Sequence, residues 1–510
     1  MGASLLDFYR HKLQPQSKVA FMATFFIGLL IHLYKFTNTL PNHDSLGNFY
    51  SDQNMVSSGR WFLSVACGFS SYFDLPWLIG IFSVALIALT AVVLVDLFDI
   101  ENPVLILLIG GLIVASPAIT ETFFFEYTAD GYMLAMLLAA LTVYSSSLAR
   151  RGVLSVVLPA FFICLSCGIY QAYVSFALLL ALCYFVYALM ENRYTNLTYW
   201  KYIGKQLCIY AAGMTLYYGV WQLCMAVQNK TPNEYQGIDA VSNLDGFSLS
   251  LSAQFKECVK IVKLFFFEWG HWASEVTLYA ALNFVFGVVL LAVLLAAAWK
   301  SGLFHRKLQC LLAVCALFLC IPCACIWLFT SDAVWYRPMM LQSLVLLYIF
   351  AAILADRWCK PRYSNLVGLL LAAVLWNNTV IANISYNYMD KMYEQSYATG
   401  LEMTMRLHEL ESVSAFDTIA ILGSRAEETS LAGKEPRIYM LSQYLRTDLL
   451  YDRWHVAAFL KHIFHIGYAF ASDQECAVWE TRPEVAAMEP WPSTRSMQVI
   501  DQTLVIKMGD

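Results

Sequence analysis

The segment LPWLIGIFSVALIALTAVVLVDL, residues 75–97, contains a single charged side chain, Asp96. A helix needs about 20 mostly apolar residues to cross the hydrocarbon core of a bilayer, which is about 30 Å thick. The segment is therefore long enough and apolar enough to span a membrane. It is one of eleven runs that predict spans: 19–34, 75–97, 103–119, 131–148, 153–168, 172–190, 206–227, 276–299, 308–329, 339–355 and 365–382.

The composition of the whole chain agrees with a polytopic membrane protein. Of its 510 residues, 59% are hydrophobic and 14% are charged, and the mean hydropathy is +0.57. Soluble domains are about 45–50% apolar and about 25% charged, so this chain has too few charges to coat a soluble core. The net charge of −5 lacks the basic surplus of nucleic-acid-binding proteins, and we expect no nucleic-acid partner.

The charged residues are concentrated at the C-terminal end of the chain. Of the 69 in total, 29 fall within residues 385–510. This change in composition predicts a multi-span membrane domain at 1–383 and a water-soluble domain at 384–510. Within the second domain we expect a helix at 391–410 and strands at 418–422 and 497–508. The fold class predicted is thus an α-helical membrane protein with a small C-terminal α/β domain.

Basic residues predict the orientation of the chain in the membrane. Every second connection carries Lys and Arg, apart from the basic-poor 96–102, and the positive-inside rule places these connections in the cytoplasm. An odd number of spans then places the N-terminus inside and the 384–510 domain outside. The basic groups are Arg10, Lys12 and Lys18; Arg150 and Arg151; Arg193, Lys201 and Lys205; Lys300, Arg306 and Lys307; and Arg357, Lys360 and Arg362.

The first polar connection contains an acid shortly after the first span. Asp44 follows His43 within the polar stretch 42–45. A carboxylate at the membrane surface could accept a proton from a soluble substrate while a lipid-linked substrate remains in the bilayer. The alternative is an ordinary hydrated loop acid.

The connection at 120–130 contains three further acids, Glu121, Glu126 and Asp130. On the outer face they could hold a divalent cation, Mg²⁺ or Mn²⁺, or position sugar hydroxyls. For Asp130 the alternative is a favourable interaction with the N-terminus of the helix that it precedes. We expect the three phenylalanines at 123–125 to be interfacial anchors, the common role of aromatic residues at this depth.

Cations occur at the same predicted level of the membrane. Arg337 suits a lipid phosphate, because its planar guanidinium binds phosphate oxygens in pairs; the alternative is an ion pair with Asp332. Lys256, Lys260 and Lys263 share one helical face and could contact lipid headgroups.

Five features carry a family resemblance: the pair His43-Asp44, the Gly59-Arg60 motif, the stretch 126–139, the break Ile169-Tyr170-Gln171, and Arg337. Together they resemble the GT-C superfamily of polyprenyl-phosphate-dependent glycosyltransferases. More narrowly, they resemble the bacterial Gtr-type glucosyltransferases that modify O-antigens and other envelope glycans. His43 stands where an acid is common in that family, which leaves one carboxylate in the pair. The resemblance covers roughly residues 19–382.

The resemblance implies an inverting transfer of a sugar, with glucose expected, from a polyprenyl-phosphate donor to a glycan acceptor such as lipopolysaccharide O-antigen. The reaction would take place on the outer face of the bacterial cytoplasmic (inner) membrane. Asp44 would be the general base, and Arg60 and Arg337 would bind the donor phosphate. The remaining implied site residues would contact the sugar or the acceptor: His43, Glu126, Asp130, Tyr170 and Gln171.

Two other functions are compatible with a polytopic membrane protein of this composition. A flippase or transporter of polyprenyl-linked glycans would thread polar residues through its spans, whereas here they concentrate at the predicted outer ends. A non-catalytic envelope-assembly protein would tolerate Asp44→Asn without loss of function.

Overall fold

A computed structural model describes residues 14–147, 152–193, 198–238, 250–267, 277–331, 333–424 and 449–509. The chain divides into two compact units. The first unit comprises Met1–Asn38 and Ser51–Asn383, and the second comprises Thr39–Tyr50 and Ile384–Asp510. The short segment Thr39–Tyr50, which carries Asp44, thus belongs with the C-terminal residues, an association that the sequence did not indicate.

The regular elements of the first unit are helices, of which the last continues into the residues of the second unit. They are α1 (Pro15–Thr37), α2 (Leu63–Cys67), α3 (Pro76–Leu97), α4 (Pro103–Val114), α5 (Pro117–Thr122), α6 (Ala129–Ser147), α7 (Leu154–Ile169), α8 (Tyr173–Met190), α9 (Thr198–Gln228), α10 (Leu251–Phe267), α11 (Leu278–Lys300), α12 (Lys307–Ala324), α13 (Val345–Trp358) and α14 (Pro361–Glu411). Short 3₁₀ turns connect several of them, notably Val56–Ser58, Phe123–Thr128, Ile326–Phe329 and Pro338–Leu344.

Eight helical stretches in the described ranges are long and apolar enough to cross a membrane, so the protein is a membrane protein. They are Pro15–Thr37, Pro76–Leu97, Pro117–Ser147, Tyr173–Met190, Leu278–Lys300, Lys307–Ala324, Pro338–Trp358 and Pro361–Glu411. The helices α4 and α7 are apolar but shorter, and α9 is not among the eight. The predicted count of eleven spans is therefore not confirmed.

Two predicted boundaries differ from the structure. The run 103–119 is interrupted, because α4 ends at Val114 and α5 begins at Pro117. A proline disfavours helical geometry in the residue before it, and Ser116 accordingly has ψ 136°. In contrast, the predicted span 365–382 and the predicted helix 391–410 form one helix, α14, since no proline or glycine separates them.

Close contacts between helices fix the position of α1. A Cβ atom at Gly28 would lie 2.7 Å from side-chain atoms of both Val84 on α3 and Val114 on α4. The absent side chain lets the three backbones approach, as small residues do between membrane helices. On the same helix the His32 Nε2 atom lies 2.9 Å from the Val114 carbonyl oxygen.

The second unit contains a four-stranded sheet flanked by helices, which confirms the small α/β module. The strands are β1 (Thr418–Leu422), β2 (Ala469–Phe470), β3 (Met497–Ile500) and β4 (Thr503–Lys507), in the order β2-β1-β4-β3. β1 is parallel to β2 and β4, and β3 is antiparallel to β4. The helices of this part are α15 (Arg453–His462), α16 (Asp473–Glu480) and α17 (Pro483–Ala486).

The sheet departs from prediction at 497–508, which forms a hairpin and not one strand. Asp501 and Gln502 have φ values of 47° and 61°, and two consecutive residues with positive φ are typical of a two-residue hairpin turn. The core beside the sheet is small and apolar, and it comprises Ala420, Leu422, Cys476, Val485, Met488 and Val505.

Candidate functional site

A cavity of about 420 Å³ lies within the first unit. This is within the range of small-molecule binding sites, roughly 300–1,000 Å³. Among the lining residues that the structure describes, Arg60 alone is charged. Tyr170 and Gln171 also line the cavity, so three of the predicted site residues meet here.

The turn that carries Arg60 is held by side chains from distant parts of the chain. The 3₁₀ turn Val56–Ser58 leads into Gly59, whose φ is +76°. Three side chains donate hydrogen bonds to its carbonyl oxygens: Trp221 Nε1 to Val56 (2.8 Å), Gln171 Nε2 to Ser58 (2.7 Å) and Tyr217 Oη to Gly59 (3.1 Å). Tyr217 and Trp221 were not predicted as site residues, because aromatic residues within an apolar run look like ordinary core residues.

The guanidinium of Arg60 has a defined orientation at the cavity wall. It lies 4.5 Å from the centroid of the Tyr170 ring, and its Nη1 donates to the Tyr132 hydroxyl at 3.1 Å. The Tyr132 and Tyr170 rings stack with their centroids 4.6 Å apart. The predicted break between the fifth and sixth spans is confirmed, because α7 ends at Ile169 and α8 begins at Tyr173. Tyr170 therefore lies between the two helices, where its ring contacts the guanidinium of Arg60.

Arg337 does not line the cavity. Its guanidinium lies 4.4 Å from the centroid of the Trp335 ring and 5.7 Å from that of Phe125. It also attracts the carboxylate of Glu121 electrostatically. The alternative partner Asp332 lies outside the described residues.

Hydrogen bonds connect the Arg337 loop with the cavity wall. The Tyr336 hydroxyl accepts the Trp327 backbone N–H at 3.1 Å, and Trp327 Nε1 donates to the Gln171 carbonyl oxygen at 2.9 Å. Trp327 and Gln171 both line the cavity. The residue preceding Arg337 is thus anchored, through one tryptophan, to the segment that supports Arg60.

The three acids of the predicted 120–130 loop are buried in helical structure, not hydrated. Their exposed fractions are 0% for Glu121, 1% for Glu126 and 3% for Asp130. Each has a partner: Glu121 Oε2 accepts the Met339 backbone N–H, Glu126 Oε2 lies 2.7 Å from Lys35 Nζ, and Asp130 Oδ1 accepts the Gly131 N–H at 2.8 Å. Burial and these partners favour structural roles for Glu126 and Asp130 over contacts with a sugar.

The phenylalanines of the same segment are not interfacial anchors, so that prediction is wrong. Phe123 and Phe124 are fully buried, and Phe125 is 5% exposed. The Phe123 ring packs against His32 and Phe36 of α1, with centroids 4.7 and 5.0 Å apart. These contacts place α1 directly against the segment that carries the buried acids.

Lys35 also attracts a second carboxylate, that of the half-buried Asp74. Burial raises the pKa of Asp74, and the positive charge of Lys35 partly offsets this rise. One cation on α1 therefore faces two acids, Asp74 and Glu126. Within the described ranges, no group of three or more His, Cys, Asp or Glu side chains could hold a metal ion.

Asp44 lies in the second unit, at the start of the 3₁₀ turn Asp44–Gly47. The turn is fixed by Asn42, whose side-chain oxygen accepts the Ser45 N–H at 2.8 Å. The Asp44 side chain is 45% exposed, and its Oδ1 lies 3.7 Å from His43 Nε2. The carboxylate is thus open to solvent at a fixed backbone position.

The imidazole of His43 packs against residues that precede and begin α15. Its ring centroid lies 5.9 Å from Tyr451 and 5.7 Å from His455. His455 Nδ1 in turn lies 2.6 Å from Asp452 Oδ1. Partial burial and the charges of Asp452 and Asp44 raise the pKa of Tyr451. These partners are more than 400 residues from His43 in the chain, and no sequence signal pointed to them.

Replacing Gly59 by alanine tests the turn that carries Arg60. A Cβ atom would lie 2.4 Å from Tyr217 Oη and 2.5 Å from Gln171 Nε2, and alanine is strained at a φ of +76°. We expect Gly59→Ala to destabilise the detergent-solubilised protein by about 1–3 kcal/mol in thermal unfolding. Gly204→Ala is the control, because nothing lies within 4 Å of its Cβ position in α9. Equal melting temperatures of the two variants would contradict the proposed tight packing.

A family model described as glucosyl transferase GtrII matches residues 33–355, more than half of the chain. The matched range includes Asp44, Arg60, Tyr170, Gln171 and Arg337. No curated protein and no solved structure matches the chain.

Proposed function

Because this chain belongs to the GtrII glucosyl transferase family, we propose that it transfers glucose from a polyprenyl phosphate to an envelope glycan such as O-antigen. The reaction would invert the anomeric configuration on the outer face of the bacterial cytoplasmic membrane. The observation that supports the proposal is the cavity of the first unit, where Arg60 is the one charged residue among the lining residues within the described ranges.

The chemistry of this cavity matches the donor. A polyprenyl phosphate combines a long apolar chain with a compact anionic group, and ligand sites of this kind need apolar walls with few polar groups. Arg60 is oriented by Tyr132 and Tyr170, which reduces the entropy it would lose on binding a phosphate. A planar guanidinium can donate two parallel hydrogen bonds to phosphate oxygens. Arg337 supplies a second cation in the connected loop.

Gln171 acts on Arg60 through the backbone. Its side-chain amide bonds the Ser58 carbonyl oxygen and also donates to Tyr217 at 3.1 Å, so the amide N–H groups hold the turn. In this proposal Gln171 is a positioning residue, and Tyr170 both supports the cation and lines the donor pocket.

The proposed chemical step requires a base and stabilisation of the leaving group. The Asp44 carboxylate takes the proton from an acceptor hydroxyl as the hydroxyl oxygen bonds to the anomeric carbon. The bond between that carbon and the phosphate oxygen breaks, and polyprenyl phosphate leaves with the electron pair. Phosphate leaves without protonation, so a second carboxylic acid, as used in glycoside hydrolysis, is not needed. The cations Arg60 and Arg337 stabilise the departing charge.

The function is tested by measuring polyprenyl phosphate released from labelled polyprenyl-phosphate-glucose by the purified full chain. The reaction is run with and without the envelope polysaccharide of the source bacterium, and the glucosylated product is analysed for its anomeric configuration. Acceptor-dependent release with an inverted linkage supports the proposal. Movement of intact donor between the leaflets of a vesicle without release would instead indicate a flippase.

Arg60→Ala should weaken donor binding. Loss of charge-assisted hydrogen bonds costs about 1.5–3 kcal/mol, which corresponds to a rise of about 10- to 150-fold in the donor Kd. Arg60→Lys keeps the positive charge but not the planar guanidinium that can donate two parallel hydrogen bonds. We therefore expect a donor Kd between those of the wild type and Arg60→Ala. The matched control is Arg495→Ala in the second unit, where the side chain is 76% exposed. A donor Kd unchanged by Arg60→Ala in a direct binding assay would remove Arg60 from the phosphate site.

A further inference from the structure

An exposed indole lies against the turn that carries Asp44. Trp454 is the second residue of α15, and 52% of it is exposed although it is a large apolar side chain. A Cβ atom at Gly47 would lie 3.0 Å from the Trp454 ring atom Cη2. Gly47 ends the 3₁₀ turn that Asp44 begins, so the indole and the carboxylate belong to one small surface of the second unit.

The neighbours of Trp454 hold its ring in place. The Asp452 side chain caps α15 by accepting the His455 backbone N–H at 2.9 Å, and it also binds the His455 ring. The His455 ring meets the indole edge to face, with centroids 4.6 Å apart at 83°. The residue before Trp454 is also held, because Arg453 Nε lies 3.0 Å from Asp473 Oδ1. The exposed face of the indole is therefore presented in a fixed orientation.

The groups around the indole are polar and partly exposed. The exposed fractions of the side chains are 45% for Asp44, 36% for Asp452 and 16% for His43. A pyranose ring has an apolar face of C–H groups, which is attracted to the electron-rich face of an aromatic ring, and an edge of hydroxyls that require hydrogen-bond partners. The surface of Trp454, His43 and Asp44 offers both kinds of contact.

We propose that Trp454 binds a neutral hexopyranose of the acceptor glycan by stacking, which brings the adjacent hydroxyl to Asp44. The inference rests on the proposed glycosyltransferase function and extends it by assigning the acceptor subsite to the second unit. Insertion of the indole into a lipid interface is the competing role of an exposed tryptophan. It is disfavoured here because the carboxylates of Asp44 and Asp452 would have to leave bulk water with it.

The test separates acceptor binding from donor chemistry. The purified full chain and the Trp454→Ala and Trp454→Phe variants are assayed for turnover, and binding of the envelope oligosaccharide repeat unit is measured calorimetrically without donor. For Trp454→Ala we expect the acceptor KM and Kd to rise about tenfold or more, the scale of a truncated aromatic hot spot, with an unchanged donor KM. Trp454→Phe should recover part of the loss, because it keeps an aromatic face. Val478→Ala, at a side chain 61% exposed in the same unit, should change neither value.

The outcomes distinguish this inference from the proposed function. Normal wild-type turnover with an unchanged acceptor KM in Trp454→Ala would overturn the subsite and leave the transferase intact. Absence of both donor cleavage and glycan binding in the wild type would overturn both. In vesicles of brominated phospholipid, stronger quenching of the wild type than of Trp454→Phe would show the indole in the lipid interface and overturn the subsite. Equal quenching of these two proteins, together with the tenfold rise in acceptor KM, would support it.

Discussion

Asp44→Asn is expected to reduce the release of polyprenyl phosphate by about 10²- to 10⁴-fold, the usual contribution of a positioned general base. The amide has nearly the same shape as the carboxylate but cannot accept the proton of an attacking hydroxyl. Because the Asp44 side chain is 45% exposed, the replacement leaves no unpaired group in the protein interior, and normal folding is expected. Turnover of purified wild type and variant at saturating donor and acceptor measures the effect.

The control is Asp52→Asn, which makes the same chemical change eight residues later at another exposed acid. Its carboxylate accepts the Asn54 backbone N–H at 3.0 Å, and its variant should retain wild-type turnover. Full activity of Asp44→Asn would move the base elsewhere. The burial of Glu126 and Asp130 makes either a poor replacement, since an acceptor hydroxyl would have to enter the protein interior to reach it.

Features of the chain that depend on local sequence could be predicted. A run of about 20 apolar residues has few alternatives to a membrane helix, and the polar break at Tyr170-Gln171 lies where the backbone leaves helical geometry. The strand at 418–422 was likewise evident from its pattern, and its bounds agree with β1. In these places the residues within one segment determine its structure.

Features that depend on distant partners could not be predicted. Glu126 and Glu121 look solvated in the sequence, yet their partners, Lys35 and the Met339 N–H, come from α1 and from the turn before α13. Nothing in the segment 39–50 shows that it packs with α15, more than 400 residues away. A polar group can be buried only where a hydrogen-bond or ion-pair partner compensates for the loss of water, and that partner can come from any part of the chain.

The candidate site residues fall into two groups, according to whether their neighbours in the structure form an accessible site or a buried ion pair. Arg60 was proposed from one short motif and Tyr170 and Gln171 from a second, more than 100 residues later, and the structure brings all three to one cavity. Glu126 was proposed from its residue type and its predicted loop, but its neighbour is Lys35. A predicted functional residue therefore gains support when its surroundings form an accessible site, and loses support when another side chain already satisfies its charge in the interior.

Lys35→Met is expected to destabilise the protein by about 3–5 kcal/mol, the cost of removing one partner from a buried ion pair. The side chains of Lys35 and Glu126 are 3% and 2% exposed, so water cannot solvate the carboxylate that remains. The substitution also removes the positive charge that attracts the carboxylate of Asp74, which adds to the loss of stability. The free energy of unfolding is measured by denaturant titration of the detergent-solubilised chain.

The double variant Lys35→Met/Glu126→Gln should recover part of this loss, because it removes the unpaired charge together with its partner. Lys391→Met is the matched control: Lys391 and Glu394 lie 2.6 Å apart, but their side chains are 46% and 59% exposed, so less than about 1 kcal/mol is expected. If Lys35→Met were no less stable than Lys391→Met, the charge of Lys35 would not be needed to hold Glu126 in the interior. A large loss in Lys35→Met that the double variant recovers would show that charge compensation, and not the shape of the lysine side chain, keeps α1 against the segment of buried acids.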